Sequence, residues 1–105
     1  MKVNKDDALS LARAYKQLLQ KDGIPVQSVI LFGSCARGEA TPESDIDLAV
    51  IGTSFLASRQ EEAVAVRKTR WPLSMKIHPV WMHAGFLENT FSTLAQEIKK
   101  DGVEV

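Results

Sequence analysis

At 105 residues, with 13 Lys and Arg against 13 Asp and Glu, the chain is long enough for one compact domain with its own core and carries no net charge. That balance excludes bulk attraction to nucleic acid or membrane, so direct nucleic-acid binding is not expected and any such contact must come from local clusters. The lone cysteine, Cys35, excludes an internal disulfide and fits a reducing compartment, the cytoplasm by default; the N-terminus is too interrupted by charge for a signal peptide, and no apolar run reaches the length of a membrane span.

From Asp6 to Gln20 the apolar residues Ala8, Leu11, Ala12, Tyr15, Leu18 and Leu19 fall on one helical stripe, with Asn4 or Asp6 as cap and Lys21 in the last turn. Gly23 and Pro25 stop this helix. Val26 to Phe32 is short, β-branched and bounded by Pro25 and Gly33, which predicts a strand, and its apolar end predicts burial on both faces. Ser34 to Gly38 suits a single helical turn, and Thr41-Pro42-Glu43-Ser44 has turn chemistry. Asp45 to Ile51 alternates acidic and apolar residues before becoming wholly apolar, as expected of a strand whose leading end faces a cleft.

Ser58 to Thr69 is predicted helical, with Glu61 and Glu62 early and Arg67, Lys68 and Arg70 late, the charge order that suits a helix dipole. Met75 to Met82 reads as a third strand, in which Pro79 requires an edge or end position. Phe86 to Lys100 returns to helical spacing through Phe91, Leu94, Ala95 and Ile98, and Val103 to Val105 adds a short terminal strand. The short link between the first two strands predicts antiparallel pairing, and the helical crossover to the third permits parallel pairing. The fold class is therefore α/β (α+β), a small mixed sheet with helices mainly on one face. An exposed apolar face would mark a dimer or partner interface.

The chemistry is concentrated between Phe32 and Val50. Gly33 lets the backbone approach a ligand closely, and Ser34 places a hydroxyl at a helical start whose N–H groups can face phosphate. Ten residues separate Ser34 from the pair Asp45 and Asp47. One residue apart on a strand, they point to one face and can converge on a hard cation such as Mg²⁺. Arg37 can pair with phosphate, or else form a surface ion pair with Glu39 or Glu43. Cys35 has no adjacent base to make it a nucleophile. His83, after Trp81 and Met82, reads as a strand end, and Trp71, Trp81, Phe86 and Phe91 as core or partner surface.

The segment GSCARGEATPESDIDLAV resembles the signature of the minimal nucleotidyltransferases of the DNA polymerase β superfamily: Gly-Ser, ten residues, Asp-x-Asp, with a small-Arg-Gly step and Ser-Asp-Ile-Asp-Leu. The resemblance implies the polymerase β-like nucleotidyltransferase fold and transfer of a nucleoside monophosphate, AMP from ATP, to an acceptor hydroxyl. It assigns nucleotide binding to Gly33, Ser34, Arg37 and Ser44, and Mg²⁺ binding to Asp45 and Asp47. It also implies a HEPN-type all-helical partner, toward which the domain acts as an adenylylating antitoxin.

The third strand departs from the family pattern. Lys76 stands where active members carry a third carboxylate, and His78 lies one step along the same face. Lys76 could neutralise the aspartates in place of a metal, or touch a phosphate while His78 takes the acceptor's proton. Two functions follow: an active nucleotidyltransferase, and a catalytically degenerate binding module that docks to its helical partner.

Overall fold

The computed structural model describes residues 4–41 and 43–105. Residues 1–3 of the N-terminal stretch and Pro42 of the expected turn lie outside the described residues. Helix α1, Lys5–Lys21, starts where Asn4 Oδ1 accepts from Asp7 N at 2.8 Å, and it carries Asp6 and Asp7 in its first turn and Lys21 in its last. It buries Ala8, Ala12, Tyr15 and Leu19 along one stripe.

Strand β1, Val26–Phe32, then runs directly into the five-residue helix α2, Gly33–Arg37. Strand β2 is Ile46–Gly52, helix α3 is Arg59–Lys68 and strand β3 is Ile77–His83. Helix α4, Thr93–Asp101, and strand β4, Val103–Glu104, follow. The sheet order is β3-β2-β1-β4. β1 pairs antiparallel with β2 and with β4, whereas β2 and β3 are parallel across the α3 crossover, as the connection lengths predict. Pro79 lies in β3, an edge strand, where its missing N–H disturbs the sheet least.

Alternation along the strands divides the core in two. Val29 and Leu31 of β1, with Leu48 and Val50 of β2, pack on the α1 stripe, on Val66 of α3 and on Cys35 and Ala36 of α2. Ile30, Phe32, Ala49, Ile51 and Met82 form the opposite face, covered by Ile98 of α4 with Leu94, Phe86 and Leu87. Three of the four helices thus share one face. Among the described residues no helix is long and apolar enough to cross a membrane.

The helix expected from Phe86 to Lys100 is divided. Phe86–Glu88 forms a 3₁₀ turn, Asn89 Oδ1 accepts from Phe91 N at 3.1 Å, and Ser92 Oγ accepts from Ala95 N at 3.1 Å to start α4 at Thr93. Side-chain caps at Asn89 and Ser92 outcompete continuous helix here. Phe91 consequently leaves the expected apolar stripe and is 97% exposed.

Glu62, read from sequence as a first-turn charge, is buried with 1% exposure. Its Oε2 accepts from the backbone N–H of Phe55 (2.6 Å) and Leu56 (3.0 Å), and its Oε1 accepts from Trp81 Nε1 (3.1 Å) and lies 2.7 Å from His83 Nε2. These contacts tie the loop before α3, α3 itself and the end of β3 to one carboxylate. Burial alone would raise its pKa, but the bonds from Phe55, His83, Leu56 and Trp81 outweigh it and bring it from 4.5 to about 2. The folded state therefore binds fewer protons than the unfolded chain, and this stabilisation is present above pH 4.5 and lost as pH falls toward 2. Glu62→Gln should lower Tm at pH 7 and flatten the decline of Tm across that acid window. Parallel Tm-against-pH curves for the variant and the wild type would contradict this assignment.

Candidate active site

The site forms where β1 ends and β2 begins. Their antiparallel register sets Phe32 opposite Asp47, so the chain turns into α2 directly beside that carboxylate. Gly33 takes φ +74°, and a Cβ on it would lie 2.5 Å from Asp47 Oδ2. The backbone conformation therefore demands glycine, and a Cβ there would also force the Asp47 carboxylate to shift. Phe32 supplies no side-chain cap to α2, whose first N–H groups open beside the acids.

Asp45 is exposed and precedes the first strand residue, while Asp47 is half-buried one pleat further on. The parallel register with β3 pairs Ile46 with Ile77 and Asp47 with His78, which puts Lys76 at the step beside Asp45. Ile46 N donates to Lys76 O at 2.8 Å, fixing that alignment. His78 Nδ1 lies 3.2 Å from Asp47 Oδ1. Lys76 is half-buried, and its charge reaches Cys35 together with those of Asp47 and Asp45. Gly33, Asp45, Asp47, Lys76 and His78 thus gather at one end of the sheet.

The remaining candidates have engagements of their own. Arg37 pairs with Glu39 at 3.2 Å and, across to α4, with Asp101 at 3.6 Å and Glu97 at 3.8 Å. Phosphate contact would require it to exchange those carboxylates, and its expected pairing with Glu39 is present. Ser44 Oγ accepts from Thr41 N at 2.9 Å and lies 3.2 Å from Thr41 Oγ1, so it shapes the turn that delivers Asp45. Cys35 is buried, and its Sγ donates to Asp45 O at 3.5 Å. Burial, followed by the neighbouring Asp47 charge, pushes its thiol pKa up, which opposes a nucleophilic role. His83 ends β3 on Glu62, away from the acids.

Two carboxylates on either side of the first residue of β2, beside a turn too close for a Cβ, fit a hard divalent ion that takes one or two protein carboxylates and completes its shell with phosphate oxygens and water. Among the described residues no group of three His, Cys, Asp or Glu side chains is arranged to hold a metal, so protein ligands alone do not make a closed cage. Gly33→Ala should strain the left-handed backbone and press on Asp47. Its expected effect is at least a tenfold loss of affinity for a hard divalent ion, measured by calorimetry with Mg²⁺ and with folding checked by circular dichroism. Unchanged affinity would contradict the close approach.

Comparison with known proteins agrees with this fold. A protein of Methanocaldococcus jannaschii assigned as a protein adenylyltransferase is 55% identical over 40 residues, which are 38% of this chain and 39% of that protein. The chain thus matches about two-fifths of that relative's length. A crystal structure assigned as a nucleotidyltransferase from Sulfolobus solfataricus superposes with a TM-score of 0.64 at 18% identity, covering 95% of this chain and 80% of that one. Two mutant forms of the toxin–antitoxin complex MntA-HpeT also share the fold. One has a TM-score of 0.54 at 24% identity, covering 89% of this chain and 69% of the matched chain. The other has a TM-score of 0.55 at 20% identity, covering 89% and 70%. The model of the family described as "Nucleotidyltransferase domain" matches residues 11–101, a span that takes in every residue of the site, and the chain belongs to that family.

Proposed function

We propose that the chain transfers AMP from ATP to a hydroxyl on a HEPN-type helical protein, releasing pyrophosphate, and serves as the antitoxin of that pair. The observation that carries this reading is the approach of Gly33 to Asp47, which sets a phosphate-sized backbone turn against the carboxylate pair. The relative assigned as a protein adenylyltransferase supports a protein acceptor, and the fold shared with a toxin–antitoxin complex supports the paired partner. A reducing, cytoplasmic setting accords with the free thiol of Cys35.

In this reading the Gly33-Ser34 turn binds the triphosphate, and Asp45 and Asp47 would hold Mg²⁺. When bound, the ion would offset the negative charge of the phosphate oxygens. The acceptor oxygen bonds to the α-phosphorus as the bond from that phosphorus to the bridging oxygen breaks, and pyrophosphate departs. Asp47 orients His78: a ring that donates through Nδ1 at 3.2 Å keeps a lone pair on Nε2, which takes the acceptor's proton. Lys76 touches a phosphate oxygen and offsets charge beside Asp45. Incubation with labelled ATP, Mg²⁺ and the helical partner should label the partner, and Asp45→Asn or Asp47→Asn should reduce transfer to background. Transfer that persists in both variants would overturn the mechanism.

Lys76 also favours a second reading, a degenerate module that keeps the fold and docks without chemistry, because a cation beside Asp45 competes with a metal. Lys76→Asp separates the two. Under the active reading it lowers kcat/KM for ATP by removing a phosphate contact; a gain in Mg²⁺ affinity and transfer rate assigns the wild type to the degenerate module.

A further inference from the structure

A groove of about 600 Å³ lies outside the site, lined by Val64, Arg67, Lys68, Arg70, Trp71 and Met75. Val64, Arg67 and Lys68 share the outer side of α3, since residues three and four apart on a helix are neighbours. Val66 points the other way and is fully buried, so the core does not require an apolar residue at position 64. The turn after α3 supplies the second wall. Val64, Trp71 and Met75 are 53%, 76% and 55% exposed, and together they make a recessed apolar surface. Exposed apolar clusters of this kind mark contact surfaces.

The rim sets the chemistry of the occupant. Arg67 and Lys68 are exposed, and among the described residues neither has a carboxylate partner. Arg70 donates through Nη1 to Ile77 O at 2.7 Å, which pins the groove wall to the first residue of β3. Met75, in that wall, is followed directly by Lys76 in the candidate site, so the groove wall and the site are continuous along the chain. An apolar floor with a cationic rim matches an amphipathic helix whose apolar anchors are flanked by carboxylates. A nucleic-acid strand would meet apolar side chains where it needs cations, and the recess receives side chains where membrane insertion needs protruding ones.

We propose that this groove docks an acidic amphipathic helix of the protein that accepts the nucleotidyl group. The proposal rests on the reading of the site as a protein nucleotidyltransferase, and its test is independent of catalysis. A displayed library of amphipathic helices with Leu, Met and Phe anchors and randomised Asp, Glu, Lys and Arg flanks is panned on the full chain, then counter-panned on Trp71→Ala and Met75→Glu. Both positions are exposed, and each variant is checked for an unchanged circular dichroism spectrum and Tm. The proposal predicts enrichment of acid-flanked helices whose affinity, measured by fluorescence anisotropy of synthetic peptides, falls at least tenfold in each variant. It also predicts a similar fall in Arg67→Glu/Lys68→Glu, where Lys-flanked peptides bind better. No enrichment, enrichment independent of flank charge, or affinity retained in the variants would overturn it. So would self-association of the chain abolished by Met75→Glu, or binding to phosphatidylserine vesicles or oligouridine abolished by the same variants in the absence of acidic-peptide binding. Transfer activity of the wild type is assayed in parallel. Peptide binding without transfer would reject the reading of the site and keep the groove, whereas transfer without peptide selectivity would reject the groove alone.

Discussion

The close approach of Gly33 to Asp47 is the constraint on which the functional end of this protein depends. The antiparallel register between Val26–Phe32 and Ile46–Gly52 sets the end of one strand opposite the start of the other. With only 2.5 Å between a Cβ at position 33 and Asp47 Oδ2, no side chain other than hydrogen fits without displacement. Glycine at φ +74° meets both demands at once. The helical start that follows opens beside the acids, and the thiol of Cys35 reaches back to the carbonyl of Asp45. A single register thus fixes the turn, the acids and the contact between them.

The second constraint is the parallel pairing of the 46–52 and 77–83 strands, which aligns His78 with Asp47 and brings Lys76 beside Asp45. The proposed catalysis depends on this strand. A cation where the family pattern has an acid can stabilise two close carboxylates without metal, yet it can also serve a triphosphate that arrives with metal. The Asp47–His78 contact accords with the second role in the proposed reading, since it holds an imidazole beside the acids. Glu97 and Asp101 hold Arg37 toward the 93–101 helix, and Glu39 pairs with it from its own loop.

Much of this was legible in the sequence because local chemistry and tertiary position agree there. Proline, glycine and β-branched residues bound the 26–32 strand where the structure has it, and the short link to the next strand predicts the observed antiparallel pairing. Glu62 was not legible. Its partners, Trp81 and His83, are 19 and 21 residues away, and its position early in a helix offers a sufficient but different explanation in the dipole. The available signal was its spacing of four from Val66, which places it on the buried side of that helix. Phe91 was misplaced because helical spacing alone cannot register the side-chain caps at Asn89 and Ser92. Arg37 and Ser44 show a further limit: motif position brings them near the site, but their carboxylate and turn contacts appear only in three dimensions.

The central claim is that the turn at Gly33 and the carboxylates of Asp45 and Asp47 form one metal-nucleotide site. Paramagnetic broadening of backbone amide resonances by Mn²⁺ with a non-hydrolysable ATP analogue tests it most directly. Broadening centred on residues 33–35, 45–47 and 76–78, and reversed by excess Mg²⁺, is the predicted result. Broadening centred elsewhere on the chain, or none at concentrations that saturate an intact nucleotide site, would contradict the account.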